Sequence, residues 1–313
     1  MADLGCAGVA NPHAHVGLVA RALAPVVADA ALVVVQGDTS SALGGALGGG
    51  LAGVPVAHVE AGLRSHDREN PWPEEDFRIA IDAMADLLFA PTELSAANLR
   101  RERVAERVEV TGNTGIDALL AKLPIPTEPP TGTRRILVTC HRRESWGDGL
   151  RSIAAALRRL ADRGDVEIAM LLHPNPRVAD EMRQLLGGHR HIRLDQPCEH
   201  SEMLRRMQAS HLILSDSGGV QEEAPTLGVP LLVLRESTER PEGIASGNAV
   251  LVGRDCERIV ATAERLLADE AALARMRRCS MPYGDGHAAE RIAAHIAEWL
   301  GESTREGISA AAA

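Results

Sequence analysis

Lysine is almost missing from this chain: Lys122 is the single one, and the other 32 of its 33 basic residues are arginines. Arginine suits a bidentate grip on phosphate or carboxylate, but a bias this uniform reflects coding composition more than function. Aromatics are scarce too. Two Phe, three Trp and one Tyr in 313 residues are too few for the stacking platform of a single-strand nucleic-acid binder. Acids outnumber bases, and a formal net charge of -10 excludes a nucleic-acid backbone as the main partner. Long apolar runs are lacking: the best stretch, residues 14–35, is broken by Arg21 and Asp29, so no membrane span is expected. The first ten residues carry Asp3 and no basic residue, unlike a secretory leader. The five cysteines (Cys6, Cys140, Cys198, Cys256, Cys279) stand far apart with no Cys-x-x-Cys pair. That reads as reduced thiols in a cytoplasmic protein, neither a disulfide frame nor a zinc site.

What is present is a chain long enough for two domains, with the composition of an α/β enzyme. Apolar runs at 31–35, 55–59, 87–90, 108–111, 135–139, 167–172, 192–194, 212–215 and 230–234 are hydrophobic on both faces, as strands of a buried parallel sheet are. Segments such as 149–163 and 177–186 are long enough to be crossover helices. Repeated strand–helix–strand units predict two Rossmann-like domains. The stretch 122–133 (KLPIPTEPPTGT) has four prolines and reads as a linker. The expected division is therefore 1–127 and 128–300, the last helix at 288–300 being free to pack back on the first domain. A Gly/Ser/Ala-rich tail at 301–313 is expected to fray. Ligands of such domains lie at the carboxyl ends of the strands, in the cleft between the two halves.

Polar residues just past those ends carry the candidate chemistry. Asp38, in Gly37-Asp38-Thr39, is either the cap of the next helix or an acid, base or hydroxyl binder at the site. Residues 48–53 satisfy Gly-x-Gly-x-x-Gly, but they lie a dozen residues beyond the strand. A dinucleotide fingerprint belongs in the turn directly after it, so these glycines predict a weak or closely packed helix instead. Glu60 ends the second strand, with Gly62 allowing a tight turn, and its alternative is an ion pair with Arg64. Glu74, Glu75 and Asp76 follow two prolines that bracket Trp72, and acids there also favour a helix start. His141-Arg142-Arg143 after the strand at 135–139 is a diphosphate grip or a solvated basic loop. His173 sits in a proline-fixed loop after the strand at 167–172. Most telling is Ser217-Gly218-Gly219 between a strand and a helix, where backbone N–H groups and the helix dipole favour an anion. Glu222 and Glu223 follow within the first turn or two, as ribose ligands or as partners of the same dipole.

Ten runs, in order, resemble the non-hydrolysing UDP-N-acetylglucosamine 2-epimerases: GDTSS, HVEAGLRS, PWPEEDFR, APTELSAANL, TGNTGIDALL, CHRRESWG, HPNPRV, SDSGGVQEEAPTLGVP, TERPEG and PYGDGHAAERI. The resemblance implies a two-domain glycosyltransferase-B-like fold, no cofactor and no metal for the chemistry, a UDP-sugar substrate and a homodimer. It implies interconversion of UDP-N-acetylglucosamine and UDP-N-acetylmannosamine by elimination and re-addition of UDP with inversion at sugar C2. Matched by motif, Asp38, Glu60 and Glu74 are the catalytic acids and His141 the catalytic histidine at the diphosphate. Ser217, Gly218 and Gly219 form the phosphate turn, Glu223 binds ribose, and Arg142, His173 and Arg240 line the site. The family's opening strand and its Gly-Thr-Arg-Pro-Glu turn have no counterpart, so the N-terminal domain is expected to be incomplete, with exposed sheet edges and an uncovered face. Ser40 and Ser41 stand where threonines are usual. Three other readings remain: a hydrolysing relative that releases N-acetylmannosamine and UDP, a catalytically silent UDP-sugar binder, and a glycosyltransferase of the same fold.

Overall fold

The computed structural model describes residues 3–102, 107–123, 132–140, 142 and 145–311, with side chains of the last helix described to Glu302. Most of the linker expected at 122–133 lies outside them. In chain order the elements are α1 (Pro12–Val27), β1 (Val33–Gln36), α2 (Ser40–Ala52), β2 (Val56–Val59), α3 (Glu74–Met84), β3 (Leu87–Ala90), α4 (Glu93–Glu102), β4 (Arg107–Val110) and α5 (Thr114–Ala121). There follow β5 (Arg134–Thr139), α6 (Asp148–Asp162), β6 (Val166–Leu171), α7 (Pro176–Leu186), β7 (Ile192–Asp195), α8 (His200–Gln208), β8 (Leu212–Ser215), α9 (Gly218–Leu227) and β9 (Leu231–Val233). The chain closes with α10 (Glu242–Ala245), β10 (Ala249–Leu251), α11 (Cys256–Ala268), α12 (Glu270–Met276) and α13 (Ala288–Ala311). Two compact units result: Met1–Asp117 with Tyr283–Ala313, and Ala118–Pro282.

The first unit is a parallel sheet in the order β1-β2-β3-β4, with Gln36 opposite Val59 and Leu88 opposite Val108. One face packs Val33, Val35, Val56 and Leu88 against Ala46, Ile81 and Leu99 of the crossover helices. The glycine-rich segment is helix α2, and its glycines are there for contact. A Cβ on Gly44 would stand 2.6 Å from Val19 Cβ, and one on Gly48 3.0 Å from Leu23 Cβ, both on α1. On the sheet side, Gly45 and Gly49 lie against Val35, Val33 and Val56. Missing side chains thus let α2 approach a helix and a sheet at once, which offsets the roughly 1 kcal/mol that each interior glycine costs. The other face is not left uncovered as expected: Ile292, Ile296 and Trp299 of α13 pack on Ala57, Val59, Leu87 and Phe89. Asp117 caps that helix, accepting from the N–H groups of Ala288 (3.1 Å) and Ala289 (2.7 Å). β1 and β4 are the sheet edges, and Val34 of β1 is half exposed.

The second unit has the strand order β10-β9-β8-β5-β6-β7, all parallel. From β5 the chain steps outward through β6 and β7, then crosses back to lay β8 on the opposite side of β5. The order therefore reverses between β5 and β8. Ile136, Val138, Ile168 and Met170 pack with α6, α7 and α11 in one contiguous core. β10 was not anticipated, being a three-residue edge strand with too short an apolar run to stand out.

His211, 4% exposed, precedes β8 and uses its Nδ1 to accept the Arg135 N–H at 3.0 Å. Burial first, then the charges of Arg277, Arg134 and Arg135, lower its pKa to about 4. The unfolded chain takes up this proton near pH 6.5 and the folded one only near 4, so stability falls as pH drops through that window. The expected loss, after solvent screening of the arginines, is roughly 1–2 kcal/mol. Urea denaturation at pH 7 and pH 4.5 checks it, and in His211→Asn that part of the difference should vanish.

Candidate active site

β1 and β2 are parallel neighbours, so the chain leaves both at the same edge of the sheet. Gly37 turns it with φ 70°. Thr39, not Asp38, then caps α2, its Oγ1 accepting from the Ala42 N–H at 3.2 Å. The capping role open to Asp38 is thus taken by its neighbour, and the Asp38 carboxylate instead accepts from Nη2 of the buried Arg78. The other Arg78 arm, Nη1, donates to Glu75 at 3.2 Å, which ties the first turn of α3 to Asp38. Glu60 adopts φ 72°, unusual for a side-chain-bearing residue. It is held there by donating its N–H to the Phe89 carbonyl at 3.1 Å, as does Ala61 at 3.0 Å. Its carboxylate lies over Gly37, with Oε2 3.5 Å from where a Cβ would be.

The Glu60–Arg64 pair weighed from the sequence gives way to another arrangement. Arg64 turns inward to Asp82 (2.7 Å) and Glu102 (2.6 Å). Burial lowers the Arg64 pKa, but Glu102 and Asp82 together outweigh it and hold the guanidinium above its usual value. Glu74 opens α3, where the helix dipole favours an acid. Its Oε2 is buried with no hydrogen-bond partner among the described residues. A buried unsatisfied oxygen costs at least about 1–3 kcal/mol, a cost that proteins tolerate chiefly where a group has work to do. Glu75 is structural by contrast, accepting from the backbone N–H groups of Ser65 and His66 at 3.0 Å.

In the second unit a cavity of about 320 Å³ opens where the strand order reverses, lined by Thr139, His173, Ser217, Gly219 and Glu223 among others. Thr139 and Ser215 pair across β5 and β8, with hydroxyls 2.6 Å apart. Ser217 occupies the N-cap of α9 without making a side-chain cap bond, so the first N–H groups of that helix remain for an anion. Gly219 has nothing within 4 Å of a Cβ position. Gly218 is closed in: its Cβ position lies 2.9 Å from Arg240 Cζ. Arg240 is itself buried and bonded to Glu222 (Nε, 2.5 Å) and Glu239, so it buttresses the helix tip. Glu222 is thereby committed. Glu223 faces the cavity and meets His200 Nε2 at 2.7 Å. Burial raises the Glu223 pKa, and the bond to His200 partly opposes it. His173 Nδ1 accepts from the Asn175 N–H at 3.1 Å, which orients the ring in its loop.

His141 lies outside the described residues, as do residues 143 and 144. Its two neighbours are held by the buried Asp216, which accepts from the Arg142 N–H (2.9 Å), Ser145 Oγ (3.2 Å) and Cys140 Sγ (3.3 Å). Burial, then the charge of Asp216, pushes the Cys140 thiol well up, so it is no nucleophile. Arg142 also extends Nη2 to within 4.0 Å of Glu239. Sequence reasoning passed over Arg78, Asp216 and His200. Asp216 directly precedes the phosphate turn and Arg78 follows the acid cluster, so both lay inside runs already singled out. His200 carried no signal, because its contact with Glu223 spans 23 residues.

The chain matches the family model described as UDP-N-acetylglucosamine 2-epimerase over residues 3–297. It is 46% identical over 277 residues to a Ralstonia nicotianae protein described as a probable UDP-N-acetylglucosamine 2-epimerase, and 43% identical over 277 residues to the Escherichia coli K12 UDP-N-acetylglucosamine 2-epimerase. Each match covers 83% of this chain and 74% of the relative. The fold is similar to the crystal structure of UDP-GlcNAc 2-epimerase from Neisseria meningitidis bound to UDP-GlcNAc, with a TM-score of 0.87 and 35% identity. That likeness covers 92% of this chain and 82% of the other.

Proposed function

This chain belongs to the UDP-N-acetylglucosamine 2-epimerase family, and we propose that the residues described above interconvert UDP-N-acetylglucosamine and UDP-N-acetylmannosamine in the following way. The diphosphate is taken by the phosphate turn Ser217, Gly218 and Gly219, through the open N–H groups at the start of α9 and the Ser217 hydroxyl, with Glu223 receiving the ribose hydroxyls. His141, Arg142 and His173 complete the grip, and Arg240 keeps the helix tip in place. One carboxylate of the set Asp38, Glu60 and Glu74 removes the proton at C2. The C1–O bond to UDP breaks with its electron pair on the departing diphosphate, and a C1–C2 double bond forms. Re-addition of UDP to C1, with a proton delivered to the opposite face of C2, completes the inversion.

Two faces need more than one proton carrier, which accounts for several acids in one unit. Charge on the leaving diphosphate is the largest change along the path, so prearranged N–H groups and cations give the greatest rate benefit. The observation that carries this reading is the uncapped α9 tip opening into a cavity with Glu223, in a chain so similar to an epimerase that binds UDP-GlcNAc. The same reading places the protein in the cytoplasm as a homodimer, and five scattered cysteines without a Cys-x-x-Cys pair suit a reducing compartment.

Incubation with UDP-N-acetylglucosamine in heavy water tests it. The expected result is deuterium at sugar C2 together with the manno epimer, both still bonded to UDP. Free N-acetylmannosamine as main product would instead support a hydrolase, and calorimetric UDP binding without turnover a silent binder.

A further inference from the structure

Inside the first unit, three side chains with no part in the chemistry above are buried together: His58, Arg64 and Asp82. Asp82, on α3, is at the centre. Its Oδ1 meets His58 Nδ1 at 2.6 Å, and its Oδ2 accepts from the Gly62 N–H at 3.2 Å and lies 2.7 Å from Arg64 Nη1. The second ring nitrogen of His58, Nε2, stands 3.0 Å from the Gly37 carbonyl oxygen. A carbonyl oxygen only accepts, and a carboxylate paired with a guanidinium is ionised and only accepts. Both partners being acceptors, this geometry is satisfied in full when the ring donates from each nitrogen. With Arg64 and Glu102 included, two basic side chains face two acidic ones.

Such a buried ionic group is poor evidence of stabilisation, since apolar residues of similar volume commonly serve as well. Its connections indicate another use. Gly37 directly precedes Asp38, Gly62 follows Glu60 by two residues, and Asp82 sits about two turns along the helix that Glu74 opens. One carboxylate thus links all three segments that carry the acids. We infer that His58, oriented by Asp82, is a positioning residue: it holds the Gly37 carbonyl and so aims Asp38, while the second Asp82 oxygen fixes the turn that aims Glu60. The inference rests on the epimerase reading above.

The test uses the full chain and two amide variants. In His58→Asn the side-chain N–H falls near the Nδ1 position and reaches only Asp82. In His58→Gln it falls near Nε2 and reaches Gly37. Misplacement of a reacting group by an ångström costs on the order of 100-fold in rate. His58→Asn is therefore expected to lose about 100-fold in kcat, with KM for UDP-N-acetylglucosamine and the UDP dissociation constant within about threefold of the parent, the signature of a change felt at the chemical step. His58→Gln should recover at least about tenfold of that loss. The proposal is overturned by kcat within about threefold of the parent in His58→Asn, by His58→Gln being no better than His58→Asn, or by a loss shared equally with UDP affinity. Should either variant not fold, the ¹⁵N spectrum of the parent's histidine rings decides: two protonated nitrogens at His58 at neutral pH support the arrangement, and one bare nitrogen sinks it. A parent chain that binds UDP but turns nothing over would refute the epimerase reading, while the ring spectrum would still settle the state of the pair.

Discussion

Glu60→Gln is expected to lower kcat on UDP-N-acetylglucosamine by about 10²–10⁴-fold, the range that a positioned proton carrier contributes. Deuterium exchange at C2 should fall in step, while UDP affinity stays within about twofold because the diphosphate turn lies in the other unit. Gln keeps the size of the side chain and the backbone bonds to Phe89, so a loss reports the missing proton carrier and not a moved loop. The backbone makes a second variant informative. Glu60 holds φ 72°, where a Cβ costs about 1–2 kcal/mol that glycine avoids. Glu60→Gly should therefore be inactive yet melt higher than the parent by a few degrees. A strained residue that can be relieved only by losing activity is what a site maintained for chemistry looks like. Activity within tenfold of the parent in Glu60→Gln would remove Glu60 from the reaction.

Much of this fold is legible because its strands are buried on both faces. Runs such as 87–90 and 212–215 emerge with the bounds read from the sequence, since no polar residue interrupts them before the last position of the strand. The glycine segment in α2 was legible for a different reason: its distance from the strand excluded a phosphate turn and left close packing. Partnerships were harder. Asp38 and Thr39 are both good caps, and only the tertiary position of Arg78, forty residues on, draws the aspartate away. Arg64 lies four residues from Glu60, as a local pair would, yet its partners come from α3 and α4. Local spacing reports which contacts are available, and long-range burial decides among them. The same holds for Glu222 and Glu223, adjacent and alike in sequence. The first is spent on Arg240 and the second turns to the cavity.

Gly219→Asp is the sharpest test of the anion turn, because folding and binding should respond in opposite directions. The Cβ position at Gly219 meets nothing within 4 Å and its φ is not in the left-handed region, so a side chain enters without strain. It would stand at the second helical position of α9, beneath an N-cap that makes no side-chain bond. A carboxylate there faces unpaired N–H groups and the positive end of the dipole, worth about 0.3–1 kcal/mol. The folded state is thus expected to be as stable as the parent or slightly more so, with Tm unchanged or raised by a degree or two. Ligand binding suffers for the same reason, because the new carboxylate satisfies the groups that the diphosphate would use and repels it besides. UDP affinity by calorimetry should fall at least about 100-fold, equivalent to about 2.7 kcal/mol. Gly219→Ala, which adds bulk without charge, should lose less than about tenfold. Equal losses in the two variants would mean that the turn is simply crowded, and a Gly219→Asp chain that bound UDP within tenfold of the parent would show that the diphosphate lies elsewhere.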